Sequence, residues 1–531
     1  MNTRAKSENR WLMQSTKHAV AGAVALLLRL PLAVQGGGVV AECTESNLRA
    51  AMAGGGTVTF ACDGTITLAK TITNTVDTLL DASGHQVTIS GSNAVRVFYV
   101  NTNVVFALVN LTVANGWATN GAGLLNAGGM VNITNCIFSG NRAKGLVGPN
   151  NLPHGPPGQD ACGGALDNAG IINAVGCTFI GNSATGGRGG AAANVYSYGE
   201  FPGNGGWGGA GKGGAVHNTG LFIALGCTLS SNVATGGVGG DGSQVAIFTY
   251  SVPMNGGNGG SGGAGNGGGV FNRGVAQLIN CSVALNAGSG AAGGWGGVGS
   301  HGAPGYPNGM RGADGSPGSG FGGIDDSSGQ CQLINCTLAF NFGTGGSPKG
   351  GIATSGATMI NTLLAENTPG GNGSSAIADL GHNLSSDHSC AFTNLGSLNN
   401  TDPKLGSLTN NGGPTLTMAL LPGSPAIDGG DDASAPATDQ RGFPRPVGAA
   451  ADIGAFEYGS PALLQISRLL GNEVEILVLG VKTQSCRLFM STTLSDWQCV
   501  ATNQIGPEGK VMFQDNCGSG ETRRFYKVAL P

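Results

Sequence analysis

One unit recurs six times between Gly121 and Asn367, and it leaves the chain few ways to fold. Its copies are GAGLLNAGGMVNITNCIFSGN from Gly121, GGALDNAGIINAVGCTFIGN from Gly163 and GGAVHNTGLFIALGCTLSSN from Gly213. They continue with GGGVFNRGVAQLINCSVALN from Gly267, GGIDDSSGQCQLINCTLAFN from Gly322 and GGIATSGATMINTLLAEN from Gly350. Cys136, Cys177, Cys227, Cys281 and Cys336 hold one position, which Thr362 takes in the last copy. Five residues later stand Asn141, Asn182, Asn232, Asn286, Asn341 and Asn367. Short alternating apolar runs divided by Gly or Asn are the pattern of strands, not helices. The shortest interval, Cys336 to Thr362, is 26 residues, enough for three short strands and three turns. Such a unit cannot bury its own apolar face, so the copies must stack. The predicted fold is all-β: a parallel β-helix with one coil per unit and coils about 4.8 Å apart.

Stacking turns each repeated position into a ladder. The Asn ladder is expected at a turn, with Asn in the left-handed conformation and its amide bonding to the copies above and below. The Cys ladder is expected inside. Cys is small, apolar and often buried, so packed free thiols are the default. Disulfides or a metal strip are the alternatives, since coil spacing permits bridging distances. Segments from Val58 to Gly116 (VTF, TITLA, TLLDASG, VTISG, VRVFYVN, VFALVNLTVANG) read as the first coils. Glu45 to Met52 reads as a short amphipathic helix covering the open end, whose strand edges would otherwise invite aggregation.

The other intervals are 41, 50, 54 and 55 residues, and each excess falls after the Asn and before the next Gly-Gly. All the insertions therefore leave from one corner. They explain why 100 of 531 residues are Gly, against a usual ~7%. One reading is a flexible tassel. The other is a layer of extended three-fold helices packed side by side, with Tyr196, Trp207, Phe248, Tyr250, Trp295 and Tyr306 as packing handles. Trp207, Tyr250, Trp295 and Tyr306 are also the candidate binding residues.

Arg4, Lys6, Arg10 and Lys17 precede an apolar stretch from Ala19 to Val34, and Val39-Val40-Ala41 reads as a small-residue cleavage site. Residues 1–41 are thus expected to be an export signal, and the mature chain has no span long enough for a bilayer. Thirteen Cys would then meet an oxidising environment. Cys43 and Cys62 are the disulfide candidate, and two of Cys486, Cys499 and Cys517 can pair. No CxxC and no zinc-type Cys/His spacing occurs. A net charge of −4 with no basic stripe argues against nucleic acid as a partner.

The GGAL, GGAV and GGGV runs, with FSGN at Phe138, FIGN at Phe179 and LSSN at Leu229, resemble the repeats of polymorphic outer membrane proteins. Those are surface β-helix adhesins. The segment AECTESNLRAAMAGGGTVTFACDGTITL resembles the N-terminal coil of exported pectin-lyase-like proteins. Three motifs in order resemble the choice-of-anchor Q domain: DLGHNLSSD from Asp379, TDPKLGSLTNNGGPTLTMALLPGSPAIDGG from Thr401, and DQRGFPRPVGAAADIGAFEYG from Asp439. Met418 stands where that family commonly has His. The resemblance covers 361–459 and implies a right-handed parallel β-helix and association with a cell surface; it does not by itself imply an enzymatic activity. The expected division is a signal at 1–41, the β-helix with its Gly-rich insertions at 42–360, an anchor-Q-like region at 361–459, and a small β-sandwich at 460–531. The proline-rich anchor-Q-like region reads as a lid on the C-terminal end of the solenoid. Asp428, Asp439, Arg441, Arg445 and Asp452 would knit its loops. A calcium site from Asp428, Asp431, Asp432 and Asp452 is the alternative use of those carboxylates.

Lyase or hydrolase chemistry would need an acidic or basic cluster on one face of the coils. The coils carry only a sparse line: Asp167 and His217, each just before the unit's first Asn, then Asp325 and Asp326. Asp167 and His217 should be neighbours, either as a hydrogen-bonded turn pair or as the start of a site. No GxSxG, phosphate loop or HExxH is present. The expected function is structural or adhesive, with carbohydrate or surface binding by a monomer and no cofactor. A polysaccharide lyase or glycoside hydrolase is the alternative.

Overall fold

The computed structural model describes residues 37–531 apart from 197–199, 247–252, 328–329, 460–462, 469–472, 480–484, 494–495, 507–509, 517–523 and 530–531. The chain winds as a parallel β-helix. Each coil between Leu124 and Thr344 contributes a strand to an eight-stranded sheet (such as Leu166–Asn168), an eleven-stranded sheet (Ile171–Val175), a ten-stranded sheet (Thr178–Ile180) and a six-stranded sheet (Ser183–Thr185). Pairing is parallel and in register from coil to coil, with Thr178 opposite Thr228, then Ser282, Thr337 and Leu363. Alternate side chains point inward and fill one core, including Phe98, Phe106, Phe138, Phe179 and Phe222.

Left-handed residues make the corners. Asn135, Gly176, Gly226, Asn280, Asn335 and Asn361, each just before the Cys position, all have φ between 47° and 62°. The next corner falls at Gly140, Gly181, Ser231, Leu285, Phe340 and Glu366, just before the ladder Asn. The ladder Asn is therefore not itself left-handed, contrary to expectation. Its neighbour turns the chain so that its amide can lie along the stack.

Cys136, Cys177, Cys227, Cys281 and Cys336 line up inside as free, buried thiols. The Cys177 thiol donates to the carbonyls of Val175 and Ile133 at 3.3 and 3.4 Å. Burial pushes the Cys136, Cys177, Cys227 and Cys281 thiols well above the usual range, which makes them poor nucleophiles and poor metal ligands. In the Asn ladder, each Nδ2 donates to the next Oδ1: Asn141 to Asn182, on through Asn232, Asn286 and Asn341 to Asn367, all at 2.8–3.0 Å. Each Nδ2 also donates to a carbonyl of the coil behind, as Asn232 does to Phe179 at 3.0 Å.

The helix Glu45–Met52 covers the N-terminal end. Its cap Thr44 accepts from the Asn47 amide, and Leu48 and Met52 are buried on the core. A Cys43–Cys62 disulfide ties this cap to the first coil. The strand Val39–Val40 pairs with Thr59–Phe60 and Val40 is buried, so the solenoid starts within the segment assigned to the leader. Residues 1–36 of that segment lie outside the described residues.

The region after the repeats differs from an end lid. Residues up to about Asn400 continue the coils, with Asn372 and Asn383 extending the side-chain bonding and strands Ala378–Asp379 and Leu384–Ser385 joining two of the sheets. The chain then folds back along the outer side of the ten-stranded sheet. Thr228 Oγ1 donates to Leu416 O, Asn280 Nδ2 to Thr438 O, Ser282 Oγ to Gln440 Oε1, and Asn335 Nδ2 to Asp452 O. Met418, Leu420, Ala426, Ile453 and Phe456 pack on Ala284, Ala339, Leu363 and Ala365. The region is a strap along the side of the solenoid. Its own frame is buried: Arg441 lies between Phe443 and Phe456 and pairs with Asp439, and Arg445 pairs with Glu457 at 3.0 Å. Residues 463–529 form two three-stranded antiparallel sheets around Ile476, Val478, Cys486 and Leu488. Cys486 and Cys499 are free thiols, and Cys517 lies outside the described residues.

Candidate functional site

Two places gather chemistry outside the core. The first is the outward column of the eight-stranded sheet, where Tyr99, Leu125, Asp167, His217, Phe271 and Asp325 stand in register on successive coils. Asp167 Oδ1 lies 2.6 Å from His217 Nδ1, with side-chain exposures of 16% and 12%. Asn120 Nδ2 donates to the other Asp167 oxygen at 3.2 Å. The His217 ring stacks on Phe271 with centroids 5.4 Å apart, and the Arg273 guanidinium lies over the Phe271 ring, 5.4 Å from its centroid. Arg96 donates to Asn120 O at 2.9 Å and feels the Asp167 charge. The spacing in the sequence brought Asp167 and His217 together as expected. Arg96, Asn120 and Arg273 were missed, because they come from turns whose position depends on the winding.

The column can hold and orient one imidazole, leaving Nε2 without a hydrogen-bond partner among the described residues. It does not offer a carboxylate pair. Asp325 stands three coils beyond Asp167, about 14 Å at the usual strand spacing, whereas glycosidase pairs sit roughly 5–9.5 Å apart. Asp325 is buried, and desolvation pushes its carboxyl up to about 6. Asp326 faces the opposite way and ends a second amide ladder: Asn126, Asn168, Asn218 and Asn272 donate forward in turn, and Asn272 donates to Asp326 at 2.7 Å. Asp326 is thus a buried ladder terminus, not a partner of His217. Cys162 is mostly buried and its thiol is pushed up to about 12 by desolvation, so it is no ready nucleophile beside this column.

The second place is the layer built by the Gly-rich insertions. Outgoing and returning arms form two stacked tiers. Within a tier, each arm donates to the next: Gly186, Gly189 and Ala192 to Thr235, Val238 and Asp241, and Gly205 and Gly208 to Asn258 and Ser261. Between tiers, Gly187 donates to Gln159, Gly209 to Gly187, Gly237 to Gly209 and Gly240 to Gly206, at 2.7–2.8 Å. One residue in three bonds along the tier, one bonds across, and one faces solvent, the geometry of extended helices with three residues per turn. Glycine is required at the crossing positions: a Cβ on Gly240 would sit 1.9 Å from Gly190 O. Hydrogen-bonded glycine backbone therefore holds the layer, and the aromatic handles do not. Trp207 and Trp295 are 69% and 70% exposed, on the outer faces of the returning and outgoing tiers, and Tyr306 is 53% exposed near the arm ends. Tyr250 and Phe248 lie outside the described residues.

Asn, Asp and His at the solvent-facing positions cap the remaining backbone amides. Asn150 Oδ1 accepts from Ala191, Asn194 from Gln244, Asn204 from Asn258, Asn258 from Ala313, and His154 Nδ1 from Asn204. The signal was the occasional Asn or Asp at the non-glycine position of a three-residue period, as in Asn255 and Asn258, a pattern readable once the arms are known to stack.

The four acids weighed for calcium are engaged otherwise. Asp428 Oδ1 accepts from Ala449 and Ala450, Asp452 from Asp428 and Tyr458, Asp431 from Ala433 and Ser434, and Asp432 from Ala451. Among the described residues no three His, Cys, Asp or Glu side chains group as metal ligands, and no helix is long and apolar enough to cross a membrane. Compared with known proteins, the chain matches no family model and no curated protein.

Proposed function

We propose that the chain is an exported, surface-associated β-helix protein of the anchor-Q, pectin-lyase-like kind, and that it binds a polysaccharide or cell surface without cleaving it. The observation that carries this reading is the arm layer. A two-tier, hydrogen-bonded glycine lattice is a costly way to make a loop, and it projects a rigid, solvent-facing array from one corner of the solenoid. Rigid presentation lowers the ordering cost of binding. The attachment to a cell surface rests on the resemblance of 361–459, and export rests on the leader-like N-terminus.

The catalytic alternative rests on Asp167 and His217, which together could accept a proton from a sugar hydroxyl or ring carbon. A panel of polysaccharides assayed for both retention and cleavage tests the two. Retention without new reducing ends or unsaturated products is expected. Release of either product by the wild type, lost in His217→Ala, would replace binding with catalysis. Fractionation of the producing cells tests the location, with the protein expected in the envelope or medium.

A further inference from the structure

We infer that the outer face of the returning tier, around Trp207, is the docking surface for a neutral, hydroxyl-rich glycan. This rests on the binding reading above and names the ligand class and the place. The hydrogen bonds along the tier fix which side chains are neighbours. Gly158 donates to Trp207 O, Gly208 to Ser261 O and Gly262 to Ser316 O, so Pro157, Trp207, Ser261 and Ser316 stand in one row across the four arms. Gly155, Gly205 and Gly259 donate in the same way to Asn204, Asn258 and Ala313. His154, Asn204, Asn258 and Ala313 therefore form the adjoining row, three residues away along each arm. In a helix with three residues per turn, that spacing returns both rows to the same face, about 9 Å apart. Neither row contains a Lys, Arg, Asp or Glu.

The two rows treat their solvent-facing amides differently. In the His154 row each amide is capped by the preceding arm: Asn204 N–H by His154 Nδ1, Asn258 N–H by Asn204 Oδ1 and Ala313 N–H by Asn258 Oδ1, at 2.9–3.2 Å. In the Trp207 row the capping stops. Pro157 and Trp207 have no side-chain oxygen, and Ser261 Oγ accepts from Ser316 Oγ at 3.1 Å instead. The backbone amides of Trp207, Ser261 and Ser316 are left without a hydrogen-bond partner among the described residues. Trp207 itself is 69% exposed, and the Nδ2 groups of Asn204 and Asn258, whose Oδ1 atoms are used, stand in the adjoining row. A rigid strip of donors matches hydroxyl and ring oxygens, and an indole face matches the C–H face of a sugar ring. The lack of charge sets the class: an acidic polymer would meet no cation in either row. A protein partner would need an apolar centre around the ring, whereas Trp207 has Pro157, Asn204 and Ser261 as neighbours.

The test uses the full chain on immobilised neutral polysaccharides (dextran, galactomannan, xyloglucan), on acidic ones (polygalacturonate, alginate) and on intact cells. Retention on at least one neutral polymer is expected, unchanged when salt rises from about 0.15 M to about 1 M. Trp207→Ala should weaken it at least tenfold, and Trp207→Tyr should keep most of it. Ser261→Asn sets a side-chain oxygen over the Ser316 amide, as Asn204 does for Asn258, and should weaken it several-fold. Unchanged thermal midpoints in all variants show that folding is intact. An equal loss in Trp295→Ala, on the other tier, would mean that any exposed indole serves and would overturn the inference. So would retention only on acidic polymers, binding that Trp207→Ala leaves unchanged, or binding only to cells that protease treatment of those cells abolishes. Each of these leaves the binding reading standing. No retention on any polymer or on intact cells would overturn both.

Discussion

A row of side-chain amides that each donate forward must end on an acceptor. The ladder from Asn126 to Asn272 ends on Asp326, whose second oxygen accepts from Thr354 Oγ1 at 3.0 Å. Asp326→Asn keeps one acceptor and removes a buried charge whose carboxyl desolvation already pushes up, so its effect on stability should be within about 1 kcal/mol. The same exchange reversed in mid-ladder is different. Asn218→Asp would aim a carboxylate at Asn272 Oδ1 and at the carbonyls of Gly220 and Val275, at a cost of roughly 3 kcal/mol or more. Denaturant midpoints of the two variants check this asymmetry. Asp325 sets a pH dependence. Its folded-state carboxyl is raised to about 6 by desolvation, so the folded chain holds that proton more tightly than the unfolded chain. Its contribution is most favourable below about pH 4 and declines as pH rises to about 6, by on the order of 3 kcal/mol. Asp325→Asn should therefore raise the melting temperature at pH 8 and leave it nearly unchanged at pH 4. Periodicity made Cys136 to Cys336 and Asn141 to Asn367 legible as ladders in the sequence. It did not show that the left-handed residue precedes the Asn, because φ depends on which neighbour turns the corner.

In the arms, the glycines do two jobs that composition alone cannot separate. Gly240 donates to Gly206 across the tiers, and its missing Cβ lets Gly190 O approach. Val238 faces solvent two residues earlier. Gly240→Ala should expel part of its arm, at the roughly 1–3 kcal/mol typical of overpacking, and raise proteolytic cleavage within 233–265 by roughly tenfold. Val238→Ala should leave the cleavage rate as it is. A flexible tassel predicts no difference between the two. The last arm also carries its own edge protection: Pro317 has no N–H to offer a further arm, and Asp314 Oδ1 takes the Gly296 amide. The common corner of departure was readable from the intervals between repeats. Side-by-side packing of three-fold helices was one of two readings the sequence allowed; the division into two tiers was not readable, since which carbonyl each amide meets depends on the neighbouring arm.

For the whole molecule, the strap decides how the solenoid comes apart. A stack of coils with only nearest-neighbour contacts frays from its ends. Here Gln440 touches Thr228 and Ser282 at once, and Thr337 accepts the Ala455 amide, so one segment spans several coils. Those bonds join residues more than a hundred positions apart, which is why motifs legible as a C-terminal region could not be placed on the side rather than the end. A chain ending at Asn400 would uncover Ala284, Ala339, Leu363 and Ala365 and lose the apolar burial of Met418, Leu420, Ile453 and Phe456. At roughly 1.5–3 kcal/mol per buried side chain, that is on the order of 6–12 kcal/mol of support for the last coils. Hydrogen exchange should then accelerate in 282–284, 337–339 and 363–365, while the disulfide-closed first coils, far from the strap, stay protected. A chain ending at Tyr458 keeps the strap and should match the full-length protein at all of these amides. Equal protection in both truncations would mean that the coils hold themselves together and that the strap only rides on them.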